Sequence, residues 1–458
     1  MKVAFQSIYR KQANLKNSEN DIYSFLRSDG DKRPELELNK RKLSDEMSKS
    51  MEGLLTDEEL TYCLFHKMKG SSSPGIDGFT VNHLRVFWPE LRHITREAIN
   101  YSFRGRLTNT LRTAVIRLLR KGSKDPTLTG NYRPISLLSV FYKLASCAIT
   151  QRIKPAVEAI VGKQQKAYIA ANNIGSCIVN LLNMMKHVNE KKKAALILLI
   201  DFKKAFDSID QTFMDNALKM LGFGEHIREW IRLFFKDREA YILLGGHLTS
   251  SIHLEQGVPQ GDVISPYVFI LMVEFLLIKI NYSDQIEGIT WAKSEGRSET
   301  FADDTTIYIK RSEDNLRTCV KYIEDFANIS GLHCNLDKTL VIPIGGNFDV
   351  KDILCPDLGL TWEDRFTILG FEIDSKLKDL NDNFDRINKR VLGLILKWQC
   401  YQLTTSGKIT IAKSLLLSQY TYIGSVLEIS EQNTSKTISV HSSFTINQTR
   451  QELKYISM

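Results

Sequence analysis

The chain has 458 residues, 43% of them hydrophobic and 25% charged, with a formal net charge of +8. That balance is ordinary for a globular protein, and the length argues for roughly two or three structural units around more than one core. The seven cysteines are odd in number and scattered, with no CxxC pair. This excludes a disulfide framework or a zinc knuckle and points to reduced core thiols in an intracellular protein, nuclear or cytoplasmic. The mild basic excess is compatible with a polyanionic partner without establishing one.

Residues 1–55 are polar and of mixed charge, with no long apolar core that would make a secretory signal. They read as exposed helix, loop or disorder, with order beginning at Thr56. There Thr56 and Glu59 have the spacing of a capping box, and Leu60, Leu64 and Met68 share one helical face. Gly75, Gly78 and Pro74 mark a turn, and one amphipathic helix is expected from Val81 to Phe103. A strand follows over Ala114–Leu119, then an extended Gly130–Leu138 segment leading to a helix with Lys143. Lys121, Lys124, Arg133 and Lys143 surround a glycine-containing turn here. They are either solvated loop charges or a grip on a triphosphate.

From Gln151 to Lys193 the pattern is helical, broken by a loop at Gln164–Tyr168. Ala194–Ile200 is a continuous apolar run ending in Asp201, as expected of a strand buried on both faces. Asp207, Ser208 and Asp210 are suited to capping the next helix, whereas Asp201 has no such role. After two helices and a hairpin around Gly245–Gly246, the loop Gln256–Asp262 opens a helix through Ser265–Pro266. Its run from Val268 to Ile280 is broken by Glu274 and Lys279 and reads as buried rather than membrane-spanning, and no membrane is expected as a partner.

Asp303 and Asp304 lie between a short apolar lead-in and the alternating Thr305–Ile309 run. Two like charges at the edge of a half-buried hairpin cost free energy unless a cation offsets them, so a divalent metal shared with Asp201 is the natural candidate. A helix over Glu313–Ser330 should end at Gly331, followed by strands at Leu340–Ile344 and Ile368–Ile373. From Leu377 the chain is helical and basic, and after Ile429 a frayed tail is expected.

Taken in order, Ser72–Gly78, Asn131–Leu137, Gln165–Tyr168, Asp201–Asp207, Gly257–Asp262, Ser265–Pro266, Phe301–Asp304, Ser330–Leu332, Asn335, Lys338 and Leu369–Gly370 form a series. The series resembles the reverse transcriptase domain of LINE-type (non-LTR) retrotransposons, and more distantly that of group II introns, over roughly residues 55–425. The resemblance implies an α+β fold of the right-hand polymerase kind, with fingers, a palm built on an antiparallel sheet, and a partial helical thumb. The corresponding divisions are residues 1–55 as a polar extension, 56–193 as fingers, 194–345 as palm, 346–428 as palm end and partial thumb, and 429–458 as tail.

The implied reaction is RNA-directed DNA synthesis on an RNA template, from a DNA primer and dNTPs, with two Mg²⁺ ions (Mn²⁺ being the alternative). By resemblance, Asp201 and Asp303 bind both metals and Asp304 supports them. The backbone at Phe202 helps hold phosphates, Phe206 is the steric gate against a ribose 2′-hydroxyl, and Gln260 and Gly261 meet the nucleotide and template base. Arg133, ahead of Lys143, takes the triphosphate, and Lys338 protonates the pyrophosphate. Residues 1–55 are too few for an endonuclease and the family pattern fades near Ser425. The alternative reading is therefore a truncated, inactive relic that only binds nucleic acid.

Overall fold

The computed structural model describes residues 2–435 apart from 13–14, Arg104, Ser123, Ala171, 292–293, 347–351 and Gln432. The expected tail from residue 436 onward lies outside the described residues. Helices and sheets are mixed along the chain in an α+β arrangement.

The N-terminal expectation holds for helix but not for exposure, nor for order beginning only at Thr56. Residues before Thr56 form helices at Lys2–Tyr9, Glu19–Leu26, Arg33–Arg41 and Asp45–Ser50. The second opens on a capping box between Ser18 and Asp21. Phe5, Tyr9, Ile22, Phe25, Leu26 and Leu38 are buried in the main core. The helices are short and their polar faces dominate the composition, so the few inward residues do not stand out in the sequence.

The Thr56–Glu59 capping box forms as expected. The single helix expected from Val81 to Phe103 is instead two, Val81–Val86 and Trp88–Ser102. Pro89 cannot donate to the carbonyl of Arg85, and its ring would clash there, so the helix restarts with proline in its first turn.

One sheet places Thr113–Arg120 between Tyr132–Leu137, antiparallel, and Arg238–Leu244, parallel. The other has the order Thr361–Trp362, Leu340–Ile344, Ala195–Ile200, Asp304–Lys310, Ser298–Phe301. Ala195–Ile200 is its central strand, which accounts for the uninterrupted apolar run. The strand expected at Ile368–Ile373 is a hairpin, Arg365–Ile368 with Phe371–Asp374, turning at Leu369 and Gly370 with φ of 47° and 85°.

The helix Ser265–Tyr282 is long and apolar enough to cross a membrane by length and composition, and 78% of it is buried inside the protein. Its two charges are met from the N-terminal helices. Arg41 pairs with Glu274, and Lys279 Nζ donates to the carbonyls of Leu26 (3.3 Å) and Ser28 (3.1 Å). Charges this deep are tolerated only when partnered, so the N-terminal helices are part of what lets this helix occupy the core. Five of the seven cysteines are buried and all are free thiols.

Candidate functional site

The register of the central sheet brings the acids together. Thr305 pairs with Ile200 in an antiparallel ladder, so Asp304 and Asp201 extend from the same end of neighbouring strands. Ala302, at φ 60°, turns the chain between Phe301 and Asp304 and carries Asp303 at the tip. The loop of Gln164–Tyr168 braces this turn. Thr300 N donates to Gln164 O and Thr300 O accepts from Lys166 N, both at 2.9 Å, and the buried Gln165 Oε1 accepts from Ala302 N at 3.2 Å. That is the structural role of the Gln165–Tyr168 stretch.

Solvent reaches Asp303 and Asp304, but the surrounding walls are close enough to shift both. Partial burial and the charge of Asp201 raise the Asp303 carboxyl, with the nearby Arg133 opposing. Burial, then Asp303, then Asp201 push Asp304 up to about 6. Asp201 is held from the turn after the Glu313–Ser330 helix: Asn335 Nδ2 donates to its Oδ2 at 3.2 Å, and Lys338 Nζ lies 3.9 Å from the same oxygen.

These groups line a cleft of about 1240 Å³. Lys121, Lys124 and Arg133 stand along it. Burial and the like charges of Lys338, Arg133 and Lys124 depress the Lys121 ammonium. Lys143, expected among them, is elsewhere: its ammonium donates to Ser73 O at 2.6 Å and it does not line the cleft. The helix beginning at Val140 turns Lys143 back over the Ser71–Gly78 turn instead.

Phe202, Phe206, Gln260 and Gly261 also line the cleft. The Phe206 ring stacks on Phe269 of the buried helix, with centroids 4.7 Å apart and planes at 20°. Its carbonyl accepts from Val258 N at 2.7 Å, which ties the Asp201–Ser208 segment to the glycine loop. Gly261 has φ 114°, and a Cβ there would come within 3.0 Å of Ser136 O. Gln260 is held by its own carbonyl, which accepts from Ser136 N at 2.8 Å.

Asp210 caps the Gln211–Met220 helix as expected, but Asp207 does not cap. It is buried, and accepts from Tyr9 Oη and from Gln260 Nε2, both at 3.1 Å. Tyr9 is a site neighbour that the sequence reading missed, although Phe5 and Tyr9 have helical i, i+4 spacing.

The donor set at the acidic end is all carboxylate oxygen, which suits a hard divalent cation such as Mg²⁺. Among the described residues no three His, Cys, Asp or Glu side chains already converge as a cage. The aspartates share a rim, and their carboxyls are raised first by burial and then by neighbouring aspartate charge. In donor chemistry the residues suit divalent ions.

A family model described as reverse transcriptase (RNA-dependent DNA polymerase) matches residues 119–373. The chain belongs to the reverse transcriptase family, and within it to the LINE-type domains of non-LTR retrotransposons. It is 25% identical over 390 residues to the transposon TX1 uncharacterized 149 kDa protein of Xenopus laevis, covering 83% of this chain and 29% of that protein. Similarity also extends to the Pol polyprotein of the type-1 retrotransposable element R2 of Popillia japonica, 28% identical over 60% of this chain and 38% of that protein. The RNA-directed DNA polymerase from mobile element jockey of Drosophila funebris is 24% identical over 54% of this chain and 26% of its own length. The chain thus spans well under half the length of these relatives.

Proposed function

We propose that the cleft is the active centre of RNA-templated DNA synthesis, in which a primer 3′-hydroxyl attacks the α-phosphate of a dNTP and pyrophosphate leaves. The observation that carries this reading is the placement of Asp201, Asp303 and Asp304 on one sheet rim, beside the cations Lys121, Lys124 and Arg133 in the same cleft. In this reading the central sheet is the palm, the region before Ala194 holds the fingers, and the helix Asp382–Trp398 begins a thumb.

Asp201 and Asp303 would hold two divalent ions, Mg²⁺ or Mn²⁺, with Asp304 in support. Bound there, the ions would supply positive charge to the attacking and leaving oxygens. The protein's own groups do the rest. Lys121, Lys124 and Arg133 neutralise the triphosphate. Phe206, its ring fixed by Phe269, presses against a ribose 2′-hydroxyl and favours dNTPs. Gly261 lets the backbone come close to the nucleotide and template base. Lys338 gives a proton to the departing pyrophosphate. RNA template, DNA primer and dNTP are the partners.

Primer extension on an RNA template, comparing wild type with Asp303→Asn, tests the site. Extension should fall by at least about 100-fold, and equal incorporation by both proteins would remove the assignment. Phe206→Val should admit NTPs, and unchanged sugar selectivity would remove the gate. A second reading is an inactive relic that binds nucleic acid. It predicts salt-sensitive RNA binding with no extension at any metal concentration.

A further inference from the structure

The N-terminal helix Lys2–Tyr9 reaches the cleft wall, with Phe5 and Ile8 on its lining. It is fastened there by the backbone: Tyr9 O accepts from Glu255 N at 2.9 Å, and Ile8 O accepts from Gln256 Nε2 at 2.8 Å. Both donors belong to the segment that runs into the glycine loop. One further bond is different in kind. Tyr9 Oη donates to Asp207 Oδ1, and the other oxygen of that carboxylate receives Gln260 Nε2. Asp207 therefore has both oxygens in use, and Gln260 faces the cleft with its amide held from behind.

We propose that Asp207 is a positioning residue for nucleotide addition. With Tyr9 on one oxygen and Gln260 on the other, it fixes the Gln260 amide toward the incoming nucleotide and makes the N-terminal helix a working part of the nucleotide site. The proposal rests on the reading of the cleft as the nucleotide site.

The chemistry favours this over packing alone. An ionised carboxylate only accepts hydrogen bonds, so it admits one orientation of the Gln260 amide, with a donor facing it. A neutral amide or a protonated acid would accept or donate, and the Gln260 side chain would lose its fixed sense. A buried acid is a costly way to fill a core position, and three cations offset part of the cost. Burial raises the Asp207 carboxyl to about 7, opposed by the Tyr9 hydrogen bond and by Lys204, Lys121 and Arg238. Lys204 stands in the turn preceding the Ala205–Ser208 helix, Lys121 follows the Thr113–Arg120 strand, and Arg238 opens the Arg238–Leu244 strand. Tyr9 is likewise raised by burial and then by the Asp207 charge, so it remains a donor throughout the working range.

The test is steady-state single-nucleotide extension by the full chain on an RNA template with a DNA primer and Mg²⁺. KM for dNTP and kcat are read separately, with melting temperature as a check on folding. Tyr9→Phe removes one oxygen. It should raise KM by about three- to tenfold with kcat within about twofold, because Asp207 keeps its bond to Gln260 and loses only the brace on its other oxygen, so that part of the hydrogen bond's worth reaches the nucleotide. In a Gln260→Leu background the same change should have no further effect on KM, because Tyr9 acts through Asp207 on Gln260. In wild type KM should rise as pH falls from 8 to 6, and Asp207→Asn should flatten that rise. An unchanged KM in Tyr9→Phe, or an equal factor in the Gln260→Leu background, overturns the proposal. If Asp207→Asn does not fold, the Tyr9 cycle decides alone. Extension that survives Asp303→Asn would remove the active-centre reading and this proposal with it, whereas loss of extension there with normal KM in Tyr9→Phe removes this proposal only.

Discussion

Leu26→Ala separates a structural N-terminus from a decorative one. Leu26 is fully buried, beside Ile22 and Phe25, and Phe25 meets Phe326 with ring centroids 5.9 Å apart. Phe326 belongs to the Glu313–Ser330 helix, which follows the acidic strand, so this contact lies on the path to the site. The substitution removes three carbons. At about 0.8 kcal/mol per buried methylene the transfer loss is about 2.4 kcal/mol, and the cavity left behind brings the total to about 3–5 kcal/mol. Val3→Ala is the control: Val3 is 79% exposed on the first helix, and its loss should cost under about 0.5 kcal/mol. Urea unfolding followed by tryptophan fluorescence reports both, since Trp230 is fully buried. A midpoint for Leu26→Ala that coincides with the Val3→Ala midpoint would mean that residues 2–55 do not share the core, and the packing argument would fail.

Arg41→Ala should destabilise by about 3–5 kcal/mol, because it removes the cation paired with the buried Glu274 and leaves that carboxylate only the bonds from Gly162 N and Gln164 Nε2. Burial pushes the Glu274 carboxyl up to about 7, above its unfolded value, so its contribution to stability falls as pH rises from about 4.5 through 7. Glu274→Gln should make the melting temperature less dependent on pH between 5 and 8, and an unaltered slope would refute the assignment. Gly257→Ala should lower stability by more than about 1 kcal/mol and impair extension. Gly257 has φ +76°, and a Cβ would lie 2.6 Å from the Asp207 carbonyl carbon and oxygen; a melting curve equal to wild type would contradict this. Lys143→Ala should leave KM for dNTP within about twofold of wild type, since Lys143 is bonded to Ser73 O away from the cleft. A tenfold rise would return that lysine to the triphosphate.

The site was more legible in the sequence than the fold around it, and the reason is physical. Asp201 ends an apolar run, and Asp303–Asp304 interrupts one, so burial pattern and charge conflict locally at the residues that the sheet brings to one rim. Capping boxes, the Gly331 C-cap and the Ser265–Pro266 helix start are also local signals, and they were readable. What could not be read were pairings made across the chain. Glu274 looked like a flaw in an apolar helix because Arg41 is 233 residues away. Asp207 looked like a cap because a cap needs only its neighbours, whereas its real partners are Tyr9 and Gln260. Lys143 failed for the reverse reason: proximity in sequence to Arg133 suggested a shared ligand, but the helix that starts at Val140 turns it toward Ser73.

The two halves of the cleft have complementary defects. On one side Asp303 and Asp304 are raised by burial and by one another's neighbourhood with Asp201, so their ionised forms are disfavoured. On the other, Lys121 is depressed by burial and by Lys338, Arg133 and Lys124, so its charged form is disfavoured too. A folded protein gains nothing in stability from crowding like charges in this way, and evolution could relieve either cluster with a single neutral substitution. Among the described residues Lys338 is the cation that pairs with Asp201, at a separation of 3.9 Å. A bare anion would relieve the lysines and worsen the acids; a bare cation would do the opposite. A triphosphate carrying divalent cations relieves both at once. That is why the charge pattern of the free protein supports metal-bound nucleotide as the ligand more strongly than either the acids or the lysines do alone.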